Sequence, residues 1–285
     1  MPPRHRPGRH ALRNTDRGHT APAPDSANSL YPVPARTTAH REGKPTVNRH
    51  TAPSPVLIAP RYLAGPDATA TSALIQQLQD DQWRRESFSD CLVFSRREPG
   101  GLLEALHTPA GVQRAPKKGR ESSWEFTARP GPGEAATWSV RFAPKTPPEL
   151  PAALAAALTD TDRVADGQHS PHYLRPVGRP DEATAPLSAA GWIHVLTRYE
   201  YAWYAPDERA LVVTGTSDEH GHGVANWLFA ASRATDNITL WHATAHPRTP
   251  THLIHALCTA ITDPSPVLRT RPPSHETGPV TTARP

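Results

Sequence analysis

Apolar and polar residues alternate along one stretch of the chain and then change to a helical period. Apolar side chains stand at every second position over 138–142, the pattern of a strand with one buried face. Leucines recur at every fourth position over 150–158, which predicts an apolar stripe on a helix. Between them, Thr146-Pro147 is typical of a helix start, and Glu149 would complete a capping box there. The stretch therefore predicts a strand, a turn and a helix.

The same stretch returns 103 residues later without a gap, so that 138–160 aligns with 241–263. Both copies contain the Thr-Pro pair, and both end on Thr-Asp. Six of the seven tryptophans also fall into pairs at matching places, namely Trp83 with Trp192, Trp124 with Trp227, and Trp138 with Trp241. Self-similarity of this kind predicts two copies of one structural unit, with Trp138 and Trp241 in the core of each.

Each unit also has a helix at its start and a hairpin in its middle. Helices are predicted at about 69–82 and 181–190, and turn residues at 98–101 and 206–209 separate apolar, strand-like runs. We therefore predict an α+β fold of two tandem repeats, each an antiparallel sheet of about five strands flanked by an N-terminal and a C-terminal helix. The predicted boundaries of the two repeats are 55–163 and 164–268.

The two ends of the chain have a different composition. Residues 1–54 and 269–285 are rich in proline and have few large apolar side chains, so we predict that both are disordered tails. The formal net charge of +4 is unevenly distributed, since residues 1–54 hold nine Lys/Arg against three Asp/Glu. Residues 55–263 hold 19 basic and 23 acidic side chains. The basic character belongs to the tails, which argues against a nucleic-acid interface on the repeats themselves.

No pattern of a secreted or membrane protein is visible in the sequence. The N-terminus has arginines but lacks the apolar core of a signal peptide, and no apolar run approaches the length of a membrane span. Cys91 and Cys258 lie in apolar strand and helix patterns, as buried packing cysteines do. These features predict a cytoplasmic protein without a membrane partner.

The order of these features resembles that of a known family. It runs from Arg61-Tyr62-Leu63-Ala64-Gly65 through a helix, Trp83, a hairpin, Trp124 and Trp138 to Thr146-Pro147 before an alanine-rich helix. This order resembles the SPDY family, an actinobacterial domain of unknown function commonly present in two copies. In the second copy, the family's Ser-Pro-Asp turn corresponds to Ala205-Pro206-Asp207, which lacks the serine. The equivalent turn of the first copy, at 95–101, has diverged. The resemblance covers 55–263 and implies no activity, cofactor or catalytic residue.

The chain contains sixteen histidines, which are common metal ligands, so a metal site is a candidate. The candidates are His220 and His222 in a loop, His242 and His246 at a strand end, and His252 and His255 on a helix. A zinc site needs four convergent ligands, usually with cysteine or carboxylate partners at short spacing. None of these histidine pairs recurs in the first copy. We therefore predict no metal site, and we interpret these residues as titratable surface histidines.

Signatures of catalysis are also missing from the sequence. No serine, cysteine or threonine stands in a glycine-flanked nucleophile turn, and no glycine-rich phosphate loop is present. The carboxylates Asp80, Asp81, Asp160 and Asp263 stand at helix ends, where exposure or capping explains them. We predict no catalytic residue and no cofactor, and the binding residues stay unknown.

Three classes of function remain open at this stage. The favoured class is a non-catalytic binding or adaptor protein with a protein partner, and an exposed aromatic patch would support it. The alternative is a nucleic-acid-associated protein that uses the arginine-rich segment 1–54. It would be supported by a positive patch that includes Arg84, Arg85, Lys117, Lys118 and Arg120. The third class is an enzyme whose activity has no recognisable motif in the sequence. A deep pocket with close polar residues would support this class.

Overall fold

The computed structural model describes residues 55–109, 123–159, 171–175, 178–197, 200–215, 226–271 and 280–284, all within one compact unit. The predicted tail 1–54 and the repeat boundary at 163/164 lie outside these ranges. The helices and strands are, in chain order, β1 (Val56–Ala59), α1 (Ala68–Asp80), β2 (Arg84–Phe88), β3 (Cys91–Glu98), β4 (Gly101–His107), β5 (Trp124–Arg129), β6 (Trp138–Phe142), α2 (Glu149–Thr159), α3 (Pro180–Ala189), β7 (Ile193–Leu196), β8 (Glu200–Tyr204), β9 (Ala210–Gly215), β10 (Trp227–Ser232), β11 (Thr239–Ala245), α4 (Thr251–Thr262), β12 (Val267–Arg269) and β13 (Thr281–Ala283).

Strands β2 to β11 form one antiparallel sheet of ten strands, in the order β2-β3-β4-β5-β6-β11-β10-β9-β8-β7. Each half is a meander of consecutive strands, so the two repeats have the same strand order. Trp138 stands opposite Ala128 in the first half, as Trp241 stands opposite Ala231 in the second. The prediction of an α+β fold with antiparallel strands and two tandem domains is confirmed.

The two halves join where β6 pairs with β11, and this junction is symmetric. The paired residues are Val140 with Ala245, Arg141 with Thr244, and Phe142 with Ala243. Because Arg141 and Thr244 occupy equivalent places in the two repeats, a pseudo-two-fold axis passes through this pair. The sequence predicted one sheet for each repeat, whereas the innermost strands of the two sheets satisfy each other's backbone groups and make the sheet continuous.

All four helices cover the same face of the sheet. Helix α1 packs on α2, α2 packs on α4, and α4 packs on α3, so the C-terminal helices of the two repeats meet at the junction. Alternate strand residues point toward this layer and form one core with the helices. Trp138 and Trp241 are both buried in it, which confirms their prediction as core residues. No helix in the described ranges has the length and apolar character needed to cross a membrane.

Two short helical turns are exchanged between the repeats. We call them the Tyr62 turn (Arg61–Leu63) and the Tyr173 turn (His172–Leu174). Trp241, in the second repeat, donates its indole N–H to the Tyr62 carbonyl of the first repeat at 2.7 Å. Trp138, in the first repeat, donates in the same way to the Tyr173 carbonyl of the second repeat, also at 2.7 Å. Each turn therefore packs in the core of the repeat to which it does not belong by sequence.

The beginning and the end of the fold meet in a small second sheet of order β12-β1-β13. Arg269, at the end of β12, is only 2% exposed and forms a bidentate ion pair with Glu149 of α2, with both N–O distances at 2.7 Å. It also donates to the Ala64 and Gly65 carbonyls. The predicted disordered tail is therefore wrong at 269–271 and 280–284, because a buried ion pair and strand pairing hold these residues in place.

The threonine caps predicted for α2 and α4 do not form. The Thr146 hydroxyl donates to the His242 carbonyl across the junction at 3.3 Å, and Glu149 pairs with Arg269 instead of closing a capping box. The Thr249 hydroxyl is buried and has no hydrogen-bond partner among the described residues. The Thr-Pro pair still precedes both helices, since a proline at a helix start has no N–H to leave unpaired.

Helices α1 and α3 end in the same way but on different residues. Trp83 N donates to Leu78 O at 2.9 Å and Trp192 N donates to Leu187 O at 3.0 Å, which is the longer hydrogen bond of a Schellman motif. The residue before each tryptophan has a left-handed backbone, with φ of 75° at Gly191 and 65° at Gln82. Glycine adopts this conformation without strain, whereas glutamine does not.

Replacing Gln82 by glycine is therefore expected to raise the free energy of unfolding by about 0.5–1 kcal/mol. Urea denaturation followed by circular dichroism measures the change. The matched control is Gly191→Ala, which should lower stability by a similar amount. A Cβ there meets no atom within 4 Å, so only backbone strain acts. A destabilised Gln82→Gly variant would contradict the assignment.

Candidate functional site

The face of the sheet opposite the helices, which we call the open face, differs between the two halves. The equivalent positions, first half before second, are Arg84 and Ile193, Glu86 and Val195, Ser95 and Tyr204, Glu104 and Leu211, Glu125 and Leu228, and Arg129 and Ser232. Four of these six positions are charged in the first half and apolar in the second, whereas two further open-face pairs, Val93 with Ala202 and Leu106 with Val213, are apolar in both. The helix-facing positions of β5 and β6 and of their equivalents β10 and β11, in contrast, are apolar in both halves.

The charges on the open face of the first half are paired across neighbouring strands. Arg129 contacts Glu104 at 2.8 Å, and Arg141 contacts Glu125 at 2.8 Å. These pairs are partly exposed and contribute little to stability. They mark the open face of the first half as a solvated surface. Phe88, 68% exposed at the end of β2, is an apolar side chain on this face, as are Val93 and Leu106.

A cavity of about 570 Å³ opens on the second half of this face. Its floor consists of side chains from four neighbouring strands, namely Ile193, Tyr204, Leu211 and Ser232. Its walls are the two turns at 207–209 and 233–237, which connect β8 to β9 and β10 to β11. The cavity therefore has a floor that combines apolar side chains, Ile193 and Leu211, with the hydroxyls of Tyr204 and Ser232, and it has a polar rim.

Both wall turns contain a residue with a left-handed backbone. Glu208 has φ of 58° and Asn237 has φ of 57°. Asparagine tolerates this conformation, but glutamate rarely adopts it. The Glu208 N–H donates to the Ala205 carbonyl at 2.9 Å, and the Asp207 carboxylate accepts from Arg209 N at 3.1 Å. These bonds hold the first turn in a tight shape that places the Glu208 side chain at the rim.

The first wall turn, which resembles the Ser-Pro-Asp turn of the SPDY family, is held by the exchanged Tyr62 turn. The Asp207 carboxylate accepts a hydrogen bond from the Tyr62 hydroxyl. Burial first, and then this carboxylate, raise the pKa of Tyr62 far above its ordinary value, while the charge of Arg209 partly offsets them. The aspartate therefore has a structural role, because it anchors a segment of the opposite repeat.

An equivalent arrangement surrounds the other exchanged turn. Burial is the main cause that raises the pKa of the Tyr173 hydroxyl above its usual range, and Glu98 adds to it while Arg96 lowers it. Both glutamate and arginine belong to the hairpin of the first repeat. Each exchanged tyrosine thus faces an acid and an arginine at the hairpin turn of the opposite repeat.

The side chains around the cavity suit binding better than nucleophilic catalysis. Arg233 at the rim forms an ion pair with Asp236, with Nε donating to Oδ1 at 2.8 Å. The hydroxyls are those of Ser232 and Tyr204, and no histidine stands among the described lining residues to act as a general base for them. What remains is a floor of strand residues, with Ile193 and Leu211 as its apolar part, inside a rim of charged and polar side chains.

The histidines considered as metal ligands do not converge in the described part of the chain. His242 is exposed on the open face, and His255 is exposed on α4. The His246 Nδ1 atom accepts from Arg248 N at 3.1 Å, and the His252 ring lies 5.4 Å from the His172 ring. The described residues contain no group of three or more His, Cys, Asp or Glu side chains that could hold a metal ion. His220 and His222 lie outside the described residues.

The carboxylates at the helix ends make local contacts. Asp80 accepts from Gln76 at 2.8 Å, and Asp81 accepts from Thr159 at 3.3 Å. Asp263 forms an ion pair with Arg61 of the Tyr62 turn at 2.7 Å. Asp160 lies outside the described residues.

The cysteines and the predicted basic patch add no site in the described ranges. Cys91 and Cys258 are buried free thiols, and burial raises the pKa of the Cys258 thiol. Arg84 and Arg85 are exposed on β2, where Arg84 contacts Glu86 at 3.1 Å. Lys117, Lys118 and Arg120 lie outside the described residues, so the predicted positive patch stays a prediction.

Comparison with known families identifies the repeats. Residues 99–164 and 204–267 match SPDY, a domain of unknown function (DUF317). Each match begins at the hairpin of its repeat and extends beyond the C-terminal helix, so it leaves out the N-terminal helix and the exchanged turn. Neither the curated proteins nor the solved structures include a match to this chain. The chain therefore carries two tandem SPDY domains.

Proposed function

We propose that this chain is a non-catalytic binding or adaptor protein that holds a protein partner on the open face of its second half. In this proposal the two repeats, each an antiparallel sheet of about five strands flanked by two helices, form one scaffold. The cytoplasmic location stays a prediction. The proposal is carried by a single observation, the difference between the open faces of the two halves.

The fold itself does not require this difference. Both halves must bury the same helix-facing tryptophans, and there the repeats agree. On the open face the first half carries Glu104 and Glu125, so the same strands form with charged side chains at these places. The second half carries Leu211 and Leu228 there, and both are partly exposed to water. A contiguous apolar surface that folding does not need is typical of an interaction site.

The cavity gives this surface a place for one large side chain. Its volume of about 570 Å³ lies within the range of small-molecule pockets, which is about 300–1,000 Å³, and leaves room for a large side chain. Ile193 and Leu211 offer apolar contacts, and Ser232 at the edge can hydrogen-bond a backbone group of the partner. A protein segment with a large apolar residue fits this composition.

The test places a glutamate on each half of the open face in turn. Leu211→Glu introduces the residue that the first half has at the equivalent position, so the fold should tolerate it. We expect this variant to lose a protein that the wild-type chain captures from a lysate of its own cells, as measured by quantitative mass spectrometry. The matched control is Leu106→Glu, which makes the same change on the open face of the first half and should keep the captured protein.

Thermal unfolding of both variants shows that the comparison is made between folded proteins. Equal capture by both variants would contradict the proposal. The alternative function, association with nucleic acid through residues 1–54, has its own outcome in the same experiment. Capture would then be sensitive to nuclease, unaffected by Leu211→Glu, and abolished when residues 1–54 are deleted.

A further inference from the structure

We propose that the partner docks as an additional strand on β7, through an extended apolar segment whose alternate side chains run onto the open face and into the cavity. This inference rests on the proposed function and names the part of the partner that is recognised. Three features of the described residues carry it: the chemistry of β7, its contrast with β2, and its continuity with the cavity.

Within the described ranges, strand β7 is a sheet edge that no other strand covers. It pairs with β8 on one side, and no other described strand pairs with its outer side. None of its four residues carries a carboxylate, lysine or arginine, and all four are exposed. Ile193 is 53% exposed, Val195 is 40% exposed and Leu196 is 61% exposed. Open backbone groups next to exposed apolar side chains form a template for another strand.

The opposite edge of the same sheet is protected. Strand β2 is equally exposed, but it carries Arg84, Arg85 and Glu86. Charged side chains on an edge strand are a common defence against unwanted pairing, since a docking strand would have to desolvate them. Because the two edges are equivalent by the repeat, the fold does not dictate the uncharged sequence of β7.

The cavity begins at this edge. Ile193 is the first residue of β7 and also lines the cavity. It stands opposite Tyr204, which stands opposite Leu211, so one row of open-face side chains leads from the edge into the cavity. A strand paired with β7 would place every second side chain on the open face, and the one opposite Ile193 would extend this row toward the cavity. Main-chain hydrogen bonds would then give affinity, and the cavity would select the side chain.

A single segment fits this edge better than a second copy of the chain. A stable dimer needs about 800 Å² from each partner, which a four-residue edge does not offer. Open twisted sheets also rarely exceed about ten strands, and this sheet already has ten. One added strand changes that number little, whereas a second copy would double it.

The test uses peptides as probes. A phage-displayed library of random linear peptides is panned against the full-length chain, and the enriched peptides are synthesised with a fluorescent label. We expect sequences with large apolar residues at alternate positions. Fluorescence anisotropy then measures the Kd for the wild-type chain and two variants.

Val195→Glu places on β7 the charge that β2 has at the equivalent position, and it is expected to weaken binding about tenfold or more. The matched control Glu86→Lys changes only the protected edge and should leave the Kd unchanged. Methylating the peptide amides one at a time distinguishes strand pairing from simple apolar contact. Amides that face β7 should lose about tenfold in affinity when methylated, and the alternate amides should lose none.

Three results of the peptide experiments would overturn the inference, and so would one result on the oligomeric state. The three are a failure to enrich any peptide, affinity that Val195→Glu leaves unchanged, and methylation effects without a two-residue period. A wild-type dimer in sedimentation equilibrium that Val195→Glu converts to monomer would assign the edge to a second copy and would also overturn it. These results leave the protein-capture comparison of Leu211→Glu with Leu106→Glu unaffected, so the mode of docking and the proposed function can fail separately.

Discussion

Replacing Trp241 by alanine is expected to lower the free energy of unfolding by about 3–5 kcal/mol, because the change leaves a cavity in the core. The indole is buried, and its N–H donates to the Tyr62 carbonyl at 2.7 Å. The substitution also leaves that buried carbonyl without its donor, which adds to the loss. Since Tyr62 arrives from the first repeat, the same change loosens the exchanged turn.

Urea denaturation followed by far-ultraviolet circular dichroism measures this effect. Trp241→Phe keeps most of the ring but removes the N–H, and it should cost about 1–3 kcal/mol, the range for an unsatisfied buried group. Phe88→Ala is the control for loss of an exposed aromatic and should stay within about 0.5 kcal/mol of the wild type. A Trp241→Ala variant as stable as Phe88→Ala would contradict the placement of the indole and the exchange of turns.

The second large effect is expected from Glu149→Ala, which should cost about 3–5 kcal/mol because it leaves a buried guanidinium without its counter-charge. The Arg269 side chain is 2% exposed, and both of its terminal nitrogens contact the Glu149 carboxylate at 2.7 Å. This ion pair ties the end of β12 to the start of α2. Its loss should destabilise the small sheet together with the helix layer.

The control is Glu104→Ala, which breaks the partly exposed pair with Arg129 on the open face. It should cost about 0–1 kcal/mol. Adding Arg269→Met to Glu149→Ala removes the unpaired charge and should recover a large part of the loss. Equal melting temperatures for Glu149→Ala and Glu104→Ala would show that the Arg269 pair is exposed to solvent.

The sequence was sufficient to predict the repeat and its elements but not their connection. Strand periodicity and the tryptophan pairs place Trp138 and Trp241 in equivalent cores. They carry no information about which copy supplies the carbonyl that each indole contacts, because both copies offer an equivalent tyrosine. The exchange accompanies the pairing of β6 with β11, and backbone hydrogen bonds of that kind leave no trace in the pattern of side chains.

Two local predictions failed for a related reason. Thr146 and Glu149 have the spacing of a capping box, but each finds a more distant partner, His242 and Arg269, that local spacing cannot reveal. Composition likewise assigned residues from 269 onward to a tail, since one buried arginine does not distinguish a strand from a polar segment. In each case a long-range contact outweighed the local preference.

The candidate site was not predicted, although part of its signal is present in the sequence. The cavity combines four strands and two turns, so no contiguous motif describes it. The contrast between Glu104 and Leu211, or between Glu86 and Val195, becomes visible when alternate strand positions of the two repeats are aligned. The register that aligns them comes from the structure, because the hairpins of the two repeats differ in length.

The exchange of turns has a consequence for the synthesis of this protein on the ribosome. Trp241 leaves the ribosome 103 residues after Trp138, a delay of about 5–20 s at the usual rate of about 5–20 residues per second. Throughout this interval the nascent first repeat exposes the unpaired edge of β6, and its Tyr62 turn has no indole to contact. The first repeat therefore cannot complete its fold before the second is translated. We therefore expect chaperones to bind the nascent chain, and we expect two nascent chains on one messenger RNA to be able to pair with each other in place of their own second halves.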